Sequence, residues 1–366
     1  MELIKNIYSV SFYDKFAVVL KKTVPNFDEI KFKSLIFNEN FESYELKQRL
    51  SHTTKVLNHF LPSKFKLATL MIKKIIENLL KEDITEQSME FMFLPDYVEQ
   101  YGIDDFESSI DAFEYITQFT SCEFAVRPFL KKYPIQMLEQ MILWSKHKNN
   151  KVRRLASEGS RPRLPWAMAL PSYKKDPTPI LPILENLKLD SCEVVRRSVA
   201  NNLNDIAKDN PDFVIQVAKK WKNKSKETDV LIKHACRTLL KQGDIQILKL
   251  FGFDSLKFKV DNFKINTPVV SIGDKLEFSF SVLNQEKIPK KLRLEYGLYY
   301  MKNSGNLSRK VFKISEREIE PNKIYEIQKH QSFKIITTRK FYTGLHQLSI
   351  IINGIEGEKK DFELIT

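Results

Sequence analysis

The sequence is poor in the residues that build disulfide frameworks and metal sites. Its 366 residues contain three cysteines (Cys122, Cys192 and Cys236) and six histidines. The cysteines are far apart and odd in number, with no CxxC pair, which argues against a disulfide scaffold or a zinc ribbon. The histidines form no HExxH motif. We therefore expect no metal site and a reducing compartment.

Long apolar runs are also missing. No stretch of the sequence approaches the roughly 20 apolar residues that cross a bilayer. Glu2, Lys5, Asp14 and Lys15 interrupt the first twenty residues, so no signal peptide is expected there. These features predict a cytoplasmic protein that has no membrane partner.

Positive charge is abundant instead. The chain has 59 Lys and Arg residues against 46 Asp and Glu residues, a formal net charge of +13, and 42% hydrophobic residues. The hydrophobic content is that of a globular protein, and the charge excess favours a polyanionic partner such as nucleic acid. A lysine-rich proteome is the alternative explanation, and net charge alone does not separate the two.

The first 250 residues or so have the periodicity of α-helices. Apolar residues between Leu67 and Leu80 recur at three- and four-residue steps, which is typical of an amphipathic helix. The apolar pattern continues beyond Phe113 and Met137. Pro128 and Pro134 are expected to lie between helices, because proline breaks a helix interior.

A repeat is visible in the second half of this helical region. Val152 and Val195 are 43 residues apart, and Val195 and Ile232 are 37 apart, close to the period of HEAT-type repeats. Stacked units of this kind form a curved solenoid with a concave surface. Three segments align as the second helix of each unit: KVRRLAS (151–157), EVVRRSVA (193–200) and VLIKHAC (230–236).

Most of the net charge lies on these repeats. Lys146 to Lys241 contains 21 basic and 10 acidic residues, a local charge of +11. Arg153–Arg154, Arg196–Arg197 and Lys233 fall at equivalent repeat positions, which would stack into a stripe able to follow a phosphate backbone. Alternatively, these arginines pair with acidic neighbours inside the stack.

After Gly252 the pattern changes to that of β-strands. Leu276 to Val282 alternates apolar and polar residues, and shorter runs around Leu292, Val311 and Leu348 do the same. Turn signals separate them: Ile272–Asp274, Asn303–Gly305, Pro321–Asn322 and Asn353–Gly354. We expect an all-α HEAT-like domain over 1–252 and an immunoglobulin-like sandwich of about seven strands over 257–366.

Three acidic residues lie in or beside the basic stripe. They are Glu123, Glu158 and Asp205. A nucleic-acid-binding surface has an electrostatic reason to avoid carboxylates, and stabilising a cation is one reason to keep them. Each also has a structural alternative: Glu123 could pair with Arg127, Glu158 with Arg154, and Asp205 could solvate a helix end.

The segment GSRPRLPWAMALP, which begins at residue 159, is unusual. Pro162 and Pro165 prevent a helix from starting before Trp166, so a structured loop is predicted. Arg161 and Arg163 beside an aromatic ring suit contact with a nucleic acid backbone and sugar. Alternatively, Trp166 is a core anchor of a repeat.

Two strings carry a family resemblance. FTSCEFAVRPFL (119–130) and ASEGSRPRLPWA (156–167) resemble the AlkC branch of the HEAT-like DNA alkylation repair glycosylases. The resemblance covers most of residues 100–245. The C-terminal region is similar to the immunoglobulin-like domain that many AlkC proteins carry. Nothing functional is assigned to residues 1–100.

The resemblance implies a monofunctional DNA glycosylase acting on double-stranded DNA. Such enzymes hydrolyse the N-glycosidic bond of cationic N-alkylated bases, notably 3-methyladenine and 3-methylcytosine, without a metal or organic cofactor and without flipping the base. Glu123, Glu158 and Asp205 fall on the family's active-site carboxylates and Trp166 on its sugar-contacting aromatic. We expect Glu158 to be the principal catalytic carboxylate.

The same resemblance suggests how DNA is held. Arg154, Arg161, Arg163 and Arg197 are the expected phosphate contacts, and the sandwich would clasp the duplex with its own excess of 20 basic over 14 acidic residues. A monomer suffices for such a clasp. The rival interpretation is a non-catalytic HEAT-repeat protein that only binds nucleic acid, because fold alone does not establish chemistry.

Overall fold

A computed structural model describes residues 3–82, 84, 89–254, 257–336 and 339–366. Glu2, one of the residues that interrupt the N-terminal segment, lies outside them. The chain divides into two compact units. The first contains the described residues up to Val214 together with Trp221–Ala235, and the second contains Ile215–Lys220 together with the described residues from Cys236 onward.

The helical part of the chain begins near the N-terminus. The α-helices are α1 (Val10–Thr23), α2 (Glu29–Ile36), α3 (Leu46–Asn58), α4 (Phe65–Lys81), α5 (Phe93–Tyr101), α6 (Phe106–Ile116), α7 (Val126–Lys132), α8 (Pro134–Trp144), α9 (Asn150–Gly159), α10 (Pro171–Lys175), α11 (Leu181–Leu187), α12 (Glu193–Ile206), α13 (Pro211–Trp221), α14 (Lys226–Ala235), α15 (Arg237–Gln242) and α16 (Ile245–Leu250). Short 3₁₀ helices cover Ile4–Ile7, Phe41–Ser43, Met89–Met92 and Thr178–Ile180.

The apolar stripe between Leu67 and Leu80 forms α4, as predicted. The side chains of Ile72, Ile75 and Leu79 are buried, whereas Leu67 and Leu80 at its two ends are exposed. The three- and four-residue spacing thus identified the helix but included leucines beyond its buried face. A period of 3.6 residues explains this, because the buried face rotates away from residues at the margins of the stripe.

Of the two prolines that were expected to lie between helices, one lies inside a helix. Pro134 is the first residue of α8, where its missing N–H costs nothing. Pro128, however, lies inside α7, so the expectation that it separates helices is wrong. It occupies the first turn, whose N–H groups have no partner within the helix, and proline is therefore tolerated there.

The predicted repeat is confirmed. The three aligned segments lie in α9, α12 and α14, and α12 packs against both α9 and α14. Val152, Val195 and Ile232 are buried at equivalent positions of these helices. The first unit is therefore a stack of helical repeats, in agreement with the HEAT-like class predicted from the spacing.

The all-β part begins at Phe258 and forms two sheets. Its strands are β1 (Phe258–Ile265), β2 (Val269–Ser271), β3 (Lys275–Asn284), β4 (Lys290–Met301), β5 (Leu307–Ile319), β6 (Ile324–Ser332), β7 (Gly344–Ile352) and β8 (Ile355–Ile365). One sheet has the order β1-β3-β6 and the other β2-β8-β7-β4-β5, with β2–β8 as the parallel pair. Phe278, Leu294 and Leu348 belong to the core between them.

The sandwich prediction is confirmed, with eight strands in the described residues against about seven expected. Positive backbone φ angles occur at four of the predicted turns, at Gly273, Gly305, Asn322 and the Asn353–Gly354 pair. Glycine and asparagine tolerate this conformation, and two successive positive φ angles join β7 to β8 through a two-residue hairpin turn.

The last two helices, α15 and α16, group with the strands in the second unit. Gly243 follows α15 with a φ of 79°, and a Cβ atom there would lie 3.1 Å from the carbonyl oxygen of Gly354. This close backbone approach ties α15 to the turn between β7 and β8. Among the described helices, none combines the length and apolar character needed to cross a bilayer.

Candidate active site

Acidic and basic side chains alternate across the repeats of the first unit. The order is Glu123, Arg154, Glu158, Arg161 and Asp205, and each neighbouring pair is linked by an ion pair. We call this set the carboxylate–arginine chain. The structure therefore brings together all three acidic residues predicted from the sequence.

Glu158 lies at the centre of the carboxylate–arginine chain. It is 5% exposed, in the last turn of α9. Its Oε1 accepts a hydrogen bond from Nη1 of Arg161 at 2.6 Å, and its Oε2 accepts one from the hydroxyl of Ser198 on α12. The predicted alternative partner Arg154 contributes only a long contact of 3.9 Å. The carboxylate is thus held from both sides, by the loop that follows α9 and by α12.

Asp205 is joined to Glu158 through Arg161. Nε and Nη2 of Arg161 both lie 2.8 Å from Oδ2 of Asp205, and Lys208 contacts Oδ1 at 3.0 Å. Burial lowers the pKa of the Arg161 guanidinium, but the charges of Glu158 and Asp205 outweigh it, so the pKa is raised overall. Arg161 is 7% exposed. It contacts two carboxylates at once and is buried, whereas the sequence predicted a phosphate contact.

Glu123 belongs to the carboxylate–arginine chain through its ion pair with Arg154. Its Oε2 accepts a hydrogen bond from the hydroxyl of Ser121 at 2.7 Å and lies 2.8 Å from Nη1 of Arg154. The predicted alternative partner Arg127 is engaged elsewhere. Glu123 is only partly buried, so one side of its carboxylate can be reached from the cavity described below.

Arg127 is completely buried and organises the loop between α9 and α10. It donates hydrogen bonds to the carbonyl oxygens of Gly159 at 2.9 Å, Arg161 at 2.8 Å and Met168 at 2.8 Å. Burial, followed by the like charge of Arg161, lowers the pKa of Arg127 to about 10. One side chain therefore fixes both ends of the loop that carries Trp166.

Trp166 lies at the tip of this loop and is 60% exposed, so the alternative that it is a core anchor is wrong. Its φ of 65° is unusual for a non-glycine residue and costs on the order of 1 kcal/mol. The contacts of Arg127 on the loop and a hydrogen bond from Lys47 to the Trp166 carbonyl oxygen maintain this conformation. An exposed aromatic ring held in a strained backbone is typical of a functional position.

Several of these side chains line one cavity of about 580 Å³. Its walls include Glu123, Arg154, Glu158, Arg161 and Trp166. We call it the carboxylate cavity. It combines fixed carboxylates with cationic side chains and an exposed indole ring, so it offers both an anion for a developing cation and groups for a phosphate backbone.

The remaining arginines of the predicted stripe divide into two groups. Arg153 pairs with the Asp190 carboxylate at 2.5 and 2.9 Å, so pairing with an acidic neighbour holds for this residue. Arg196 instead donates to the backbone carbonyl oxygens of Asp190 and Ser191. Arg197, in contrast, is exposed.

Arg163 is also accessible but is not free. Its Nε and Nη2 donate to Asp209 at 2.8 and 2.6 Å, and these bonds lower the pKa of the aspartate. A phosphate would therefore have to compete with Asp209 for this arginine.

Sequence reasoning missed Ser198, Ser121, Arg127 and Lys47. Ser198 and Glu158 are 40 residues apart, and Lys47 and Trp166 are 119 apart. Only the repeat alignment offered a signal, because it places α12 beside α9 and so makes a polar residue in the repeat EVVRRSVA a neighbour of Glu158. Lys47 has no such signal.

Comparisons with known proteins agree with this architecture. The sequence model of the DNA alkylation repair enzyme family matches residues 39–239, and that of the C-terminal Ig-like domain of the uncharacterised protein YhaZ matches residues 259–366. The match to the repair family begins well before the resemblance noted at residue 100.

Two relatives match over nearly the whole chain. The uncharacterized protein YhaZ of Bacillus subtilis (strain 168) is 40% identical over 362 residues, which cover 99% of each chain. The solved structure of the Pseudomonas fluorescens alkylpurine DNA glycosylase AlkC, bound to DNA containing an abasic site analog, is 33% identical, covers both chains completely and has a TM-score of 0.93.

Proposed function

The chain belongs to the DNA alkylation repair enzyme family, and on that premise we propose that it is a monofunctional DNA glycosylase for cationic N-alkylated bases. Its substrates are double-stranded DNA carrying 3-methyladenine or 3-methylcytosine, and it acts as a monomer in the cytoplasm. It hydrolyses the bond between C1′ of the deoxyribose and the base nitrogen.

One observation carries this proposal: a buried carboxylate, fixed by two donors, lines a cavity whose surroundings are basic. Glu158 has this environment. A buried carboxylate that has no functional role weakens both folding and the binding of a polyanion. A surface that only binds DNA has no use for it, which argues against the non-catalytic alternative.

The charges suit the reaction. The alkylated base already carries a positive charge, so it needs no proton to leave. When the bond breaks, the electron pair goes to the base and neutralises it, while the sugar becomes an oxocarbenium-like cation. The fixed negative charge of Glu158 stabilises that cation, because a preorganised charge needs no reorganisation during the reaction.

A water then adds to C1′ and loses a proton. Glu123 suits this step, because both of its donors, Ser121 and Arg154, approach the same oxygen, Oε2. The other oxygen is left for the water, whose proton it accepts as a general base. Asp205 supports the pair by holding Arg161 against Glu158.

The exposed residues hold the substrate. Trp166 contacts the sugar and adds a cation–π interaction with the developing charge. Its protruding ring supports excision without base flipping, since it can reach the sugar of a base that stays in the duplex. Arg154, Arg163 and Arg197 are assigned to phosphates, while Arg161, which sequence reasoning also assigned to phosphate, is assigned here to positioning.

Base release from methylated DNA tests the proposal. Duplexes carrying 3-methyladenine or 3-methylcytosine are incubated with the wild-type protein, and the released bases are quantified separately by chromatography. The proposal predicts release of both bases and an intact strand at each abasic site. No release of either base by folded protein that binds DNA would support the non-catalytic alternative instead.

A further inference from the structure

A second cavity of about 240 Å³ adjoins the carboxylate cavity. The two share Met89, Met92, Phe124 and Trp166 as wall residues. The second cavity extends from this shared wall towards α3 and α5. Trp166 therefore lies between the catalytic carboxylates and the second cavity.

Two polar groups of the second cavity distinguish it from a packing defect. The first is Glu99 on α5, which makes no hydrogen bond or ion pair within the described ranges, from residue 3 to 366 with their gaps. Burial, together with the charge of Asp96 and against that of Lys47, raises the pKa of Glu99 to about 7. By contrast, Asp96 is satisfied by hydrogen bonds from Thr54 and Gln100.

The second polar group is the hydroxyl of Tyr8. This residue lines the cavity, is 1% exposed, and its hydroxyl makes no hydrogen bond with any residue the structure describes. The nearby Tyr13, also buried, bonds to Thr53 at 2.6 Å. A ligand with a polar atom at this point would satisfy the hydroxyl, which otherwise stays without a hydrogen-bond partner in the described part of the chain.

The remaining walls are apolar or aromatic. Leu46, Leu50 and Met168 line the cavity together with the rings of Phe124 and Trp166. The volume lies below the roughly 300–1,000 Å³ of pockets for drug-sized ligands, so it suits a single heterocycle rather than a nucleotide. Aromatic rings with a few convergent polar groups are the usual means of binding such a ring.

We propose that the second cavity holds the methylated base after it has been cut from the sugar. This inference rests on the proposed function and goes one step beyond it. The base passes Trp166 once its bond to C1′ is broken, so no rotation of the intact nucleotide is required. Glu99 accepts from the exocyclic amino group, Tyr8 pairs with a ring nitrogen, and the aromatic walls stack on the ring.

Binding of free 3-methyladenine to the DNA-free full-length protein tests this inference by calorimetry, with the fluorescence of Trp166 as a second readout. Saturable binding is expected. Glu99→Gln, which replaces a charged acceptor by a neutral amide oxygen, and Tyr8→Phe, which removes the hydroxyl, are each expected to weaken binding by about 2- to 10-fold. Glu107→Gln, a matched change of an exposed carboxylate outside the cavity, should leave it unchanged.

A second variant separates lost binding from lost folding. Tyr8→Phe removes an unpaired hydroxyl, so the thermal midpoint of unfolding should stay unchanged or rise. The variant should still bind 3-methyladenine more weakly. Unchanged affinity in both Glu99→Gln and Tyr8→Phe would overturn the inference.

Measuring base release from DNA in parallel distinguishes the product-site inference from the proposed glycosylase activity. Release from DNA without saturable binding of the free base overturns the second cavity as a product site and leaves the glycosylase intact. Absence of release overturns both.

Discussion

The two units contain nearly identical ion-pair clusters. In the helical unit Arg161 lies between Glu158 and Asp205, and in the sandwich Arg293 lies between Glu295 and Glu316. Nη1 of Arg161 and Nη2 of Arg293 each lie 2.6 Å from a glutamate Oε1. Five of these six side chains are buried, and the sixth, Glu316, is partly buried.

The clusters differ in what surrounds them. Glu158 lines a cavity of about 580 Å³ beside Arg154 and Trp166, whereas Glu295 is fully buried on β4, between β7 and β5. An arginine bound to two carboxylates is therefore no evidence of catalysis by itself. What distinguishes the first cluster is that it lines a cavity, next to an exposed ring and a further arginine, Arg154.

Removing the arginine from each cluster should have the largest effect. Arg161→Met and Arg293→Met each remove the arginine that lies between two carboxylates, and breaking a buried ion pair costs about 3–5 kcal/mol. Urea unfolding, with hydrogen exchange measured in peptides of each unit, locates the loss. Both variants should be destabilised, each in its own unit.

Base release separates these two variants. The fraction of Arg161→Met that remains folded should lose activity, because Glu158 is no longer oriented, whereas folded Arg293→Met should keep it. Equal activity per folded molecule in the two variants would show that Arg161 is a structural residue like Arg293.

Removing the exposed ring of Trp166 should have an intermediate effect. The sandwich cluster has no comparable ring beside it among the described residues. Trp166→Ala loses a cation–π contact of about 0.5–2 kcal/mol, equivalent to roughly 2- to 30-fold in the single-turnover rate. Its thermal midpoint should not fall, since the ring is exposed. Trp166→Phe should recover part of the rate, and a drop in stability with an unchanged rate would refute the assignment.

A neighbouring pair of arginines should show the smallest effect. Arg197 is exposed and Arg196 is bound to backbone carbonyl oxygens. Arg197→Ala should reduce the slope of log affinity against log salt concentration by about 0.9, the value of one phosphate contact, without loss of stability. Arg196→Ala should lower the stability and leave the salt slope unchanged. Identical salt slopes for wild type and Arg197→Ala would remove Arg197 from the DNA interface.

The sequence predicted most of the architecture because periodicity is a local property. The spacing of Val152, Val195 and Ile232 identified three stacked helices, and the alternation from Leu276 to Val282 identified β3. Pro128 was misplaced because a proline signal does not distinguish the first turn of a helix from the gap before it. Exposure of Leu67 and Leu80 likewise depends on neighbours that the pattern does not contain.

The site was predicted less completely, because its contacts are distant in sequence. Family resemblance supplied Glu123, Glu158, Asp205 and Trp166, but their partners could not be deduced from spacing. The helix rule paired Glu123 with a residue four positions away, yet that arginine, Arg127, is drawn to three loop carbonyl oxygens instead. A competition between local and long-range partners is decided only in the folded chain.

The most direct test compares Glu158→Gln with Glu295→Gln, two buried glutamates that each accept from an arginine at 2.6 Å. Single-turnover release of 3-methyladenine from duplex DNA is measured for both, normalised to folded protein. We predict a fall of about 10²–10³-fold for Glu158→Gln, with DNA binding retained, because a preorganised charge is lost. Glu295→Gln should release the base at the wild-type rate. Wild-type release by Glu158→Gln would contradict the central claim that this carboxylate stabilises the reacting sugar.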